Sequence, residues 1–164
     1  MKGRFQWREE ITIDARPDEV WRIVNDVSLI PRYHPEVDSV DLLDGHPDRR
    51  VGSRYRCNVS HGRGKGSCIE EVVGSVPGVS VSTFMGTDTW GIGRILKDFV
   101  VDSTLIPRPG DRTVLRFDAY YNPAGFFNRV LNILVFRRKT RQRSRDVMCG
   151  IKRLVEQQST GAAG

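Results

Sequence analysis

Residues 11–26, ITIDARPDEVWRIVND, constrain the fold more than any other stretch of the chain. An alternating strand runs into Pro17, and an amphipathic helix begins almost at once. Proline suits the first helical turn, where its missing N–H would have no partner in any case. Asp18 and Glu19 follow beside the positive end of the helix dipole. Val20, Trp21, Ile23 and Val24 supply the apolar side, and the helix is expected to end near Asn25 and Asp26. A second short helix is expected over 28–33, closed by Pro35. Because strand patterns fill most of the remaining chain, this junction predicts a curved antiparallel sheet around a long C-terminal helix, with a cavity between them.

The first strand covers residues 4–14. Phe5, Trp7, Ile11 and Ile13 share one face, opposite Arg4, Gln6, Arg8, Glu10 and Thr12, while Glu9 interrupts the apolar face. Further strands are expected over 37–43, 53–60, 67–73, 79–85, 98–106 and 112–121, separated by turns rich in glycine, proline and aspartate. Short turns between consecutive strands mean an antiparallel meander. No βαβ spacing occurs, which argues against a nucleotide-binding α/β fold. From 124 to 158 the period becomes helical, with Phe127, Val130 or Leu131, Leu134, Thr140, Ser144, Val147 or Met148, Ile151, Leu154 and Val155 on one stripe. Such a helix would be about 50 Å long, longer than one small sheet needs. A bend is therefore expected near 137–140, and Gly150 is a mild weak point. The expected organisation is one domain over 1–158 with a disordered tail over 159–164.

Hydrophobic residues make up 38% of the 164 and charged residues 28%, a soluble globular composition. The longest apolar-rich segment, 126–136, is broken by Asn128, Arg129 and Asn132 and is too short and polar to span a bilayer. The start, MKGRFQWREE, has no apolar secretory core, so a cytoplasmic location is expected. Cys57, Cys68 and Cys149 are odd in number and read as reduced thiols. The sequon at 58–60 is discounted for lack of a signal peptide. The net charge of +6 favours an anionic partner. Arg137, Arg138, Lys139, Arg141, Arg143 and Arg145 fall within nine consecutive residues, and at helical spacing they spread around the cylinder. That favours a solvated helix face over either a nucleic-acid or a membrane-surface patch. Phe126, Phe127, Val135 and Phe136 just upstream keep a weak membrane-surface contact open. The oligomeric state is not indicated.

A sheet that curves over a helix without filling the space leaves an apolar pocket with a few polar groups. The strand pattern puts Trp7, Glu9, Tyr55, Cys57, Val59, Ile69, Glu71, Leu115, Phe117 and Ala119 on inner faces. The helix adds Leu131, Leu134, Arg138 and Arg141. A carboxylate at Glu9 or Glu71 facing Arg138 or Arg141 would form either an internal ion pair or a ligand clamp, and both readings stand. For acid–base chemistry Tyr55, Glu9, Glu71, Asp102, Tyr121, His34, His46 and His61 qualify by type only, so no catalytic residue is assigned. There is no nucleophile elbow and no Ser/His/Asp set. The histidines are 12 and 15 residues apart without ligand spacing, so neither a metal nor a cofactor is expected. The glycine-alternating stretch 61–66 reads as a hairpin turn rather than a phosphate loop. The connection 86–97 is long for a hairpin. Trp90 within it is either part of a lid over the pocket mouth or packed on the sheet edge.

The order of elements, with Ile11-x-Ile13-x-Ala15-x-Pro17-x-x-Val20-Trp21, Asp26, Tyr33-His34-Pro35-x-Val37, Gly52 and Leu154-Val155-Glu156, resembles the helix-grip fold. The resemblance is to the START/Bet v 1-like (SRPBCC) superfamily, in particular its polyketide cyclase/dehydrase and lipid-transport group, and covers 4–158. It implies an α+β fold of about seven strands around the C-terminal helix. It also implies a hydrophobic or aromatic ligand, lipid-, polyketide- or isoprenoid-like, bound in the cavity. The arginine-rich helix suggests that this ligand carries an acidic group. Two other classes stand beside this one: an aromatase/cyclase or dehydratase using Tyr and Glu in the same pocket, and an interaction protein using the basic helix on RNA, a ribosome or a membrane. Fold does not choose between them.

Overall fold

The computed structural model describes residues 2–61 and 64–161. Strand β1 (Phe5–Ile13) ends in a short turn, and helix α1 (Pro17–Asn25) begins at Pro17. The Glu19 carboxylate reaches back to accept the Arg16 N–H at 2.9 Å, which fixes the entry into the helix. Asp26 closes α1 and accepts the Ser28 N–H at 2.9 Å, opening a 3₁₀ turn (Val27–Leu29) that runs into α2 (Ile30–Tyr33).

Six strands follow: β2 (Val37–Leu42), β3 (Arg54–His61), β4 (Gly64–Val76), β5 (Ser80–Asp88), β6 (Leu96–Arg108) and β7 (Arg112–Pro123). They join β1 in one antiparallel sheet of seven strands, in the order β1-β7-β6-β5-β4-β3-β2. β1 and β2 are therefore the two edges, and α1 and α2 carry the chain from one to the other. A single helical turn, α3 (Ile92–Ile95), interrupts the β5–β6 connection.

The C-terminal segment comprises α4 (Gly125–Leu131), a π turn (Asn132–Phe136) and α5 (Arg137–Gly161). The irregularity thus lies just before the expected bend at 137–140, and the helix continues past the expected end at 158. Residues 162–164 of the expected tail, and residues 62 and 63 of the expected turn, lie outside the described residues. Inward positions upstream of Met148 run Asn128, Asn132, Phe136, Thr140, Ser144, a spacing of four. A wide π turn shifts the phase of everything before it. The sequence stripe through Leu131 and Leu134 assumed a regular 3.6-residue helix, so it misses Asn132. Asn132 is buried, whereas Leu134 is exposed.

α5 packs against β1, α1 and α2. Met148, Ile151, Leu154 and Val155 from α5 are buried, as are Ile13, Val20, Ile23 and Leu115. Each fully buried aliphatic side chain of this size contributes about 1.5–3 kcal/mol. Trp7 is buried too, and its indole N–H donates to Thr140 Oγ1 at 3.0 Å, which ties β1 to the start of α5.

One strand differs in phase from the sequence expectation. Ile69 and Glu71 were expected to face inward, but Cys68, Glu70 and Val72 do so. In an antiparallel pair, directly opposite residues share a face. The β3–β4 register closes at His61↔Gly64, which sets Cys57 opposite Cys68 and Tyr55 opposite Glu70. Glu71 instead lies opposite Arg54 and Phe84, on the other face of the sheet.

Candidate functional site

The space between sheet and α5 is a cavity of three adjoining lobes. The inner lobe, about 200 Å³, is walled by apolar side chains including Val24, Met85, Phe99, Phe117 and Ile151. A second lobe of about 330 Å³ extends toward Val59 and Trp90, and a third of about 460 Å³ toward Ile95 and Phe136. Ile92 and Arg143 border all three. Arg143 pairs with Glu36 at 2.7 Å, so an ion pair between α5 and the α2–β2 turn stands at the junction.

The inner lobe holds a polar cluster centred on Arg49, which enters from the segment between β2 and β3. Its Nη1 donates to Thr83 Oγ1 at 3.1 Å and its Nη2 to the Tyr33 hydroxyl at 3.5 Å. The guanidinium also stands 5.5 Å from the centre of the Tyr55 ring, within reach of a cation–π attraction. Its Nε is buried without a partner among the described residues. Burial disfavours the charge on Arg49, but the surrounding Tyr55, Tyr33 and Glu70 groups outweigh it and raise its pKa further. The Tyr55 hydroxyl donates to Glu70 Oε2 at 2.7 Å. Burial pushes the Tyr33 phenol up to about 12. Burial also pulls the His34 imidazole below its ordinary value, against the opposing pull of Glu70 and Glu36. His34 Nδ1 accepts the Glu36 N–H at 3.2 Å, so the neutral ring carries its proton on Nε2. The lobe therefore combines apolar walls, one buried cation with a donor left without a partner among the described residues, the Glu70 carboxylate, and weakly acidic hydroxyls.

Glu9 is a separate feature. Its buried carboxylate accepts from Arg141 Nε, and from Arg145 Nε at 2.6 Å. Burial would raise its pKa, but the two arginine hydrogen bonds prevail and hold it below the ordinary carboxylate range. Of the two forms expected for a carboxylate on this face, an ion pair or a ligand clamp, the geometry is an internal pair linking β1 to α5.

The structure brings some of the sequence-selected residues together and scatters others. Cys57, Val59, Trp90 and Phe117 line the cavity. Trp7 and Tyr55 are buried beside it. Glu71 faces away, for the register reason given above. Leu131 and Leu134 are not among the lining residues, because the π turn shifts the phase of that stretch, and Arg138, at the start of α5, is exposed instead of lining the cavity. Arg141 is held by Glu9 rather than by the cavity. The connection 86–97 is organised by Asp88, whose carboxylate accepts the N–H groups of Trp90 at 2.8 Å, Ile92 at 2.9 Å and Gly93 at 2.8 Å. Trp90 lies against Gly66 on β4.

Sequence reasoning missed Arg49, Glu70, Thr83 and Arg143, and weighed His34 by type alone. The adjacent acids Glu70 and Glu71 carried a usable signal, since on a half-buried strand one of such a pair must face inward.

Among the described residues, no helix is long and apolar enough to cross a membrane, and no cluster of three or more His, Cys, Asp or Glu is placed to hold a metal ion. The family model for polyketide cyclase/dehydrase and lipid transport matches residues 4–156. No curated protein sequence matches the chain. Among solved structures, the ZhuI aromatase/cyclase of Streptomyces sp. R1128 is 16% identical, with a TM-score of 0.72 over 96% of this chain and 97% of its own. A norcoclaurine synthase of Thalictrum flavum, solved as a point mutant with a transition-state analogue, is 14% identical, with a TM-score of 0.74 over 93% and 94%. A START superfamily protein of Mycobacterium smegmatis is 17% identical, with a TM-score of 0.71 over 93% and 98%. At these identities the likeness shows the fold, which is the helix-grip fold.

Proposed function

The chain belongs to the polyketide cyclase/dehydrase and lipid transport family, and we propose that it binds a hydrophobic or aromatic small molecule carrying an anionic or enolic oxygen. The ligand's apolar body, lipid-, polyketide- or isoprenoid-like, lies against Phe99, Phe117 and Met85, and its oxygen meets Arg49. The observation that carries this reading is the Arg49 guanidinium, sunk in a largely apolar lobe with its Nε unpartnered among the described residues. A buried charge with an unused donor is costly unless something supplies an acceptor. The inner and second lobes together have the scale of a small-molecule site.

The test is displacement of 1-anilinonaphthalene-8-sulfonate by medium-chain fatty acids and by alcohols of equal length. A charge-assisted hydrogen bond contributes about 1.5–3 kcal/mol, so the acid is expected to bind roughly tenfold or more tighter than the alcohol. Arg49→Met should erase that preference while leaving alcohol binding in place. Equal affinity of acid and alcohol in the unaltered protein would sink the proposal. Native mass spectrometry of the protein as purified would reveal any ligand it already carries.

A second reading, cyclase or dehydratase chemistry, is favoured by the Tyr55–Glu70 pair beside Arg49. Arg49 would stabilise the enolate oxygen formed when a carbonyl substrate loses its α-proton to Glu70. Deuterium exchange at the α-carbon of a short 1,3-diketone, followed by NMR, separates the two readings. Exchange accelerated by the protein and lost in Glu70→Gln supports turnover. No acceleration leaves binding alone.

A further inference from the structure

The α4–π segment is built inside out. Two of its inward positions, Asn128 and Asn132, are polar: Asn132 is buried, its Oδ1 accepting the Tyr121 hydroxyl at 2.8 Å and its Nδ2 donating to Gln6 Oε1 at 3.1 Å. Apart from Gly125 and Arg129, its exposed positions are apolar. Phe126 is 82% exposed, Phe127 74%, Ile133 74% and Leu134 67%, the four most exposed large apolar side chains among the described residues. A surface helix that packs on a core carries the opposite pattern. At helical spacing these four share one side, and an exposed cluster of this kind marks a contact surface.

The charges around it indicate what the surface contacts. From 119 to 145 the sequence has no acidic residue and seven basic ones: Arg129, Arg137, Arg138, Lys139, Arg141, Arg143 and Arg145. Arg141 and Arg145 hold Glu9, and Arg143 holds Glu36. Arg129, Arg137, Arg138 and Lys139 are exposed and make no ion pair among the described residues. The basic run is therefore divided. Its C-terminal part is engaged in ion pairs, and its N-terminal part adjoins the apolar side chains.

We propose that this face docks on an anionic lipid bilayer. Phe126, Phe127, Ile133 and Leu134 enter the headgroup–acyl boundary, and the four free cations meet the lipid phosphates. A bilayer satisfies both halves of the surface at once. A second copy of the chain would set like charges face to face. RNA would engage the arginines but leave Ile133 and Leu134 in water. The proposal concerns the outer surface and stands apart from the ligand reading, because none of these four apolar residues lines the cavity, and of the four cations only Lys139 borders it, in the third lobe, which Arg49 does not line.

The test is flotation of the purified full chain with vesicles of phosphatidylcholine alone or with about 30% phosphatidylglycerol, at low and high salt. Binding is expected on the anionic vesicles, weakened by salt, and roughly tenfold or more weaker on phosphatidylcholine alone. F126S/F127S should weaken it by about tenfold or more without lowering the melting temperature. R137Q/R138Q/K139Q should remove most of the preference for anionic vesicles. Absence of flotation overturns the proposal. So does flotation unaffected by F126S/F127S, which would mean adsorption by charge alone. Two further results also overturn it: a concentration-dependent dimer that F126S/F127S abolishes while vesicles stay unbound, and RNA binding tighter than vesicle binding.

Discussion

Glu9→Gln isolates the contribution of one buried carboxylate to the joint between sheet and helix. Glu9 points from β1 into α5, where Arg141 and Arg145 lie one helical turn apart. Its side chain is 7% exposed, while its partners are 48% and 52% exposed. A hydrogen bond to a charged group contributes about 1.5–3 kcal/mol when buried, whereas an exposed ion pair contributes about 0.2–1. Glu9 is itself buried and accepts from two arginines whose exposure weakens each bond, so losing its charge should destabilise the protein by about 2 kcal/mol, in the lower part of the buried range. In a chain of this length that corresponds to a fall in melting temperature of about 4–8 °C. The pH dependence follows from the lowered folded pKa of Glu9. In the unfolded chain Glu9 titrates at its ordinary value, so the stabilisation is fully present above that value. It is lost as the pH falls through the lower folded value, because both states are then protonated. Thermal melts of the parent and Glu9→Gln proteins at neutral pH and in strong acid give the readout. The gap should be wide at neutral pH and close in acid. Equal melting temperatures at neutral pH, or a gap that persists undiminished in acid, would refute the electrostatic account.

Gly150→Ala should destabilise the protein despite the better helix propensity of alanine. A methyl group there meets the Tyr33 carbonyl, because α5 crosses α2 in backbone contact. The expected penalty is about 1–3 kcal/mol, read as a lower melting temperature, with acid-over-alcohol preference reduced as Tyr33 shifts against Arg49. A higher melting temperature would show that the two helices separate freely. Of the three cysteines, Cys149 is exposed while Cys57 and Cys68 are buried, with their thiols pushed up by burial. Ellman's reagent at neutral pH should therefore titrate one thiol quickly and the other two only on unfolding. A second fast thiol in the folded protein would mean that the reagent reaches the Cys57 wall of the cavity.

The parts of the molecule legible in the sequence are those fixed by local periodicity. Phe5, Trp7, Ile11 and Ile13 alternate over one strand, and Pro17 marks the helix start within a few residues of it, so no distant contact is needed to read either. The candidate site is different, because it is assembled by phase and by return of the chain. Glu70 and Glu71 are indistinguishable until the register of β4 on β3 is known, and that register is set at a hairpin some residues away. Arg49 sits in a run of charged and glycine residues that reads as a solvated turn. Only the packing of that turn against Tyr33 and Thr83 makes it the buried cation of the cavity. The same holds for the basic run. As sequence it is one cluster spread around a helix, with no reason to divide it. Glu9 and Glu36, more than a hundred residues earlier, engage Arg141, Arg143 and Arg145 in ion pairs. What remains of the run is the part beside Phe126 and Phe127. An unpaired acid on an apolar strand face, which Glu9 is in the sequence, thus predicts that a distant basic run has partners inside the fold. Only the members left without one are candidates for an external surface.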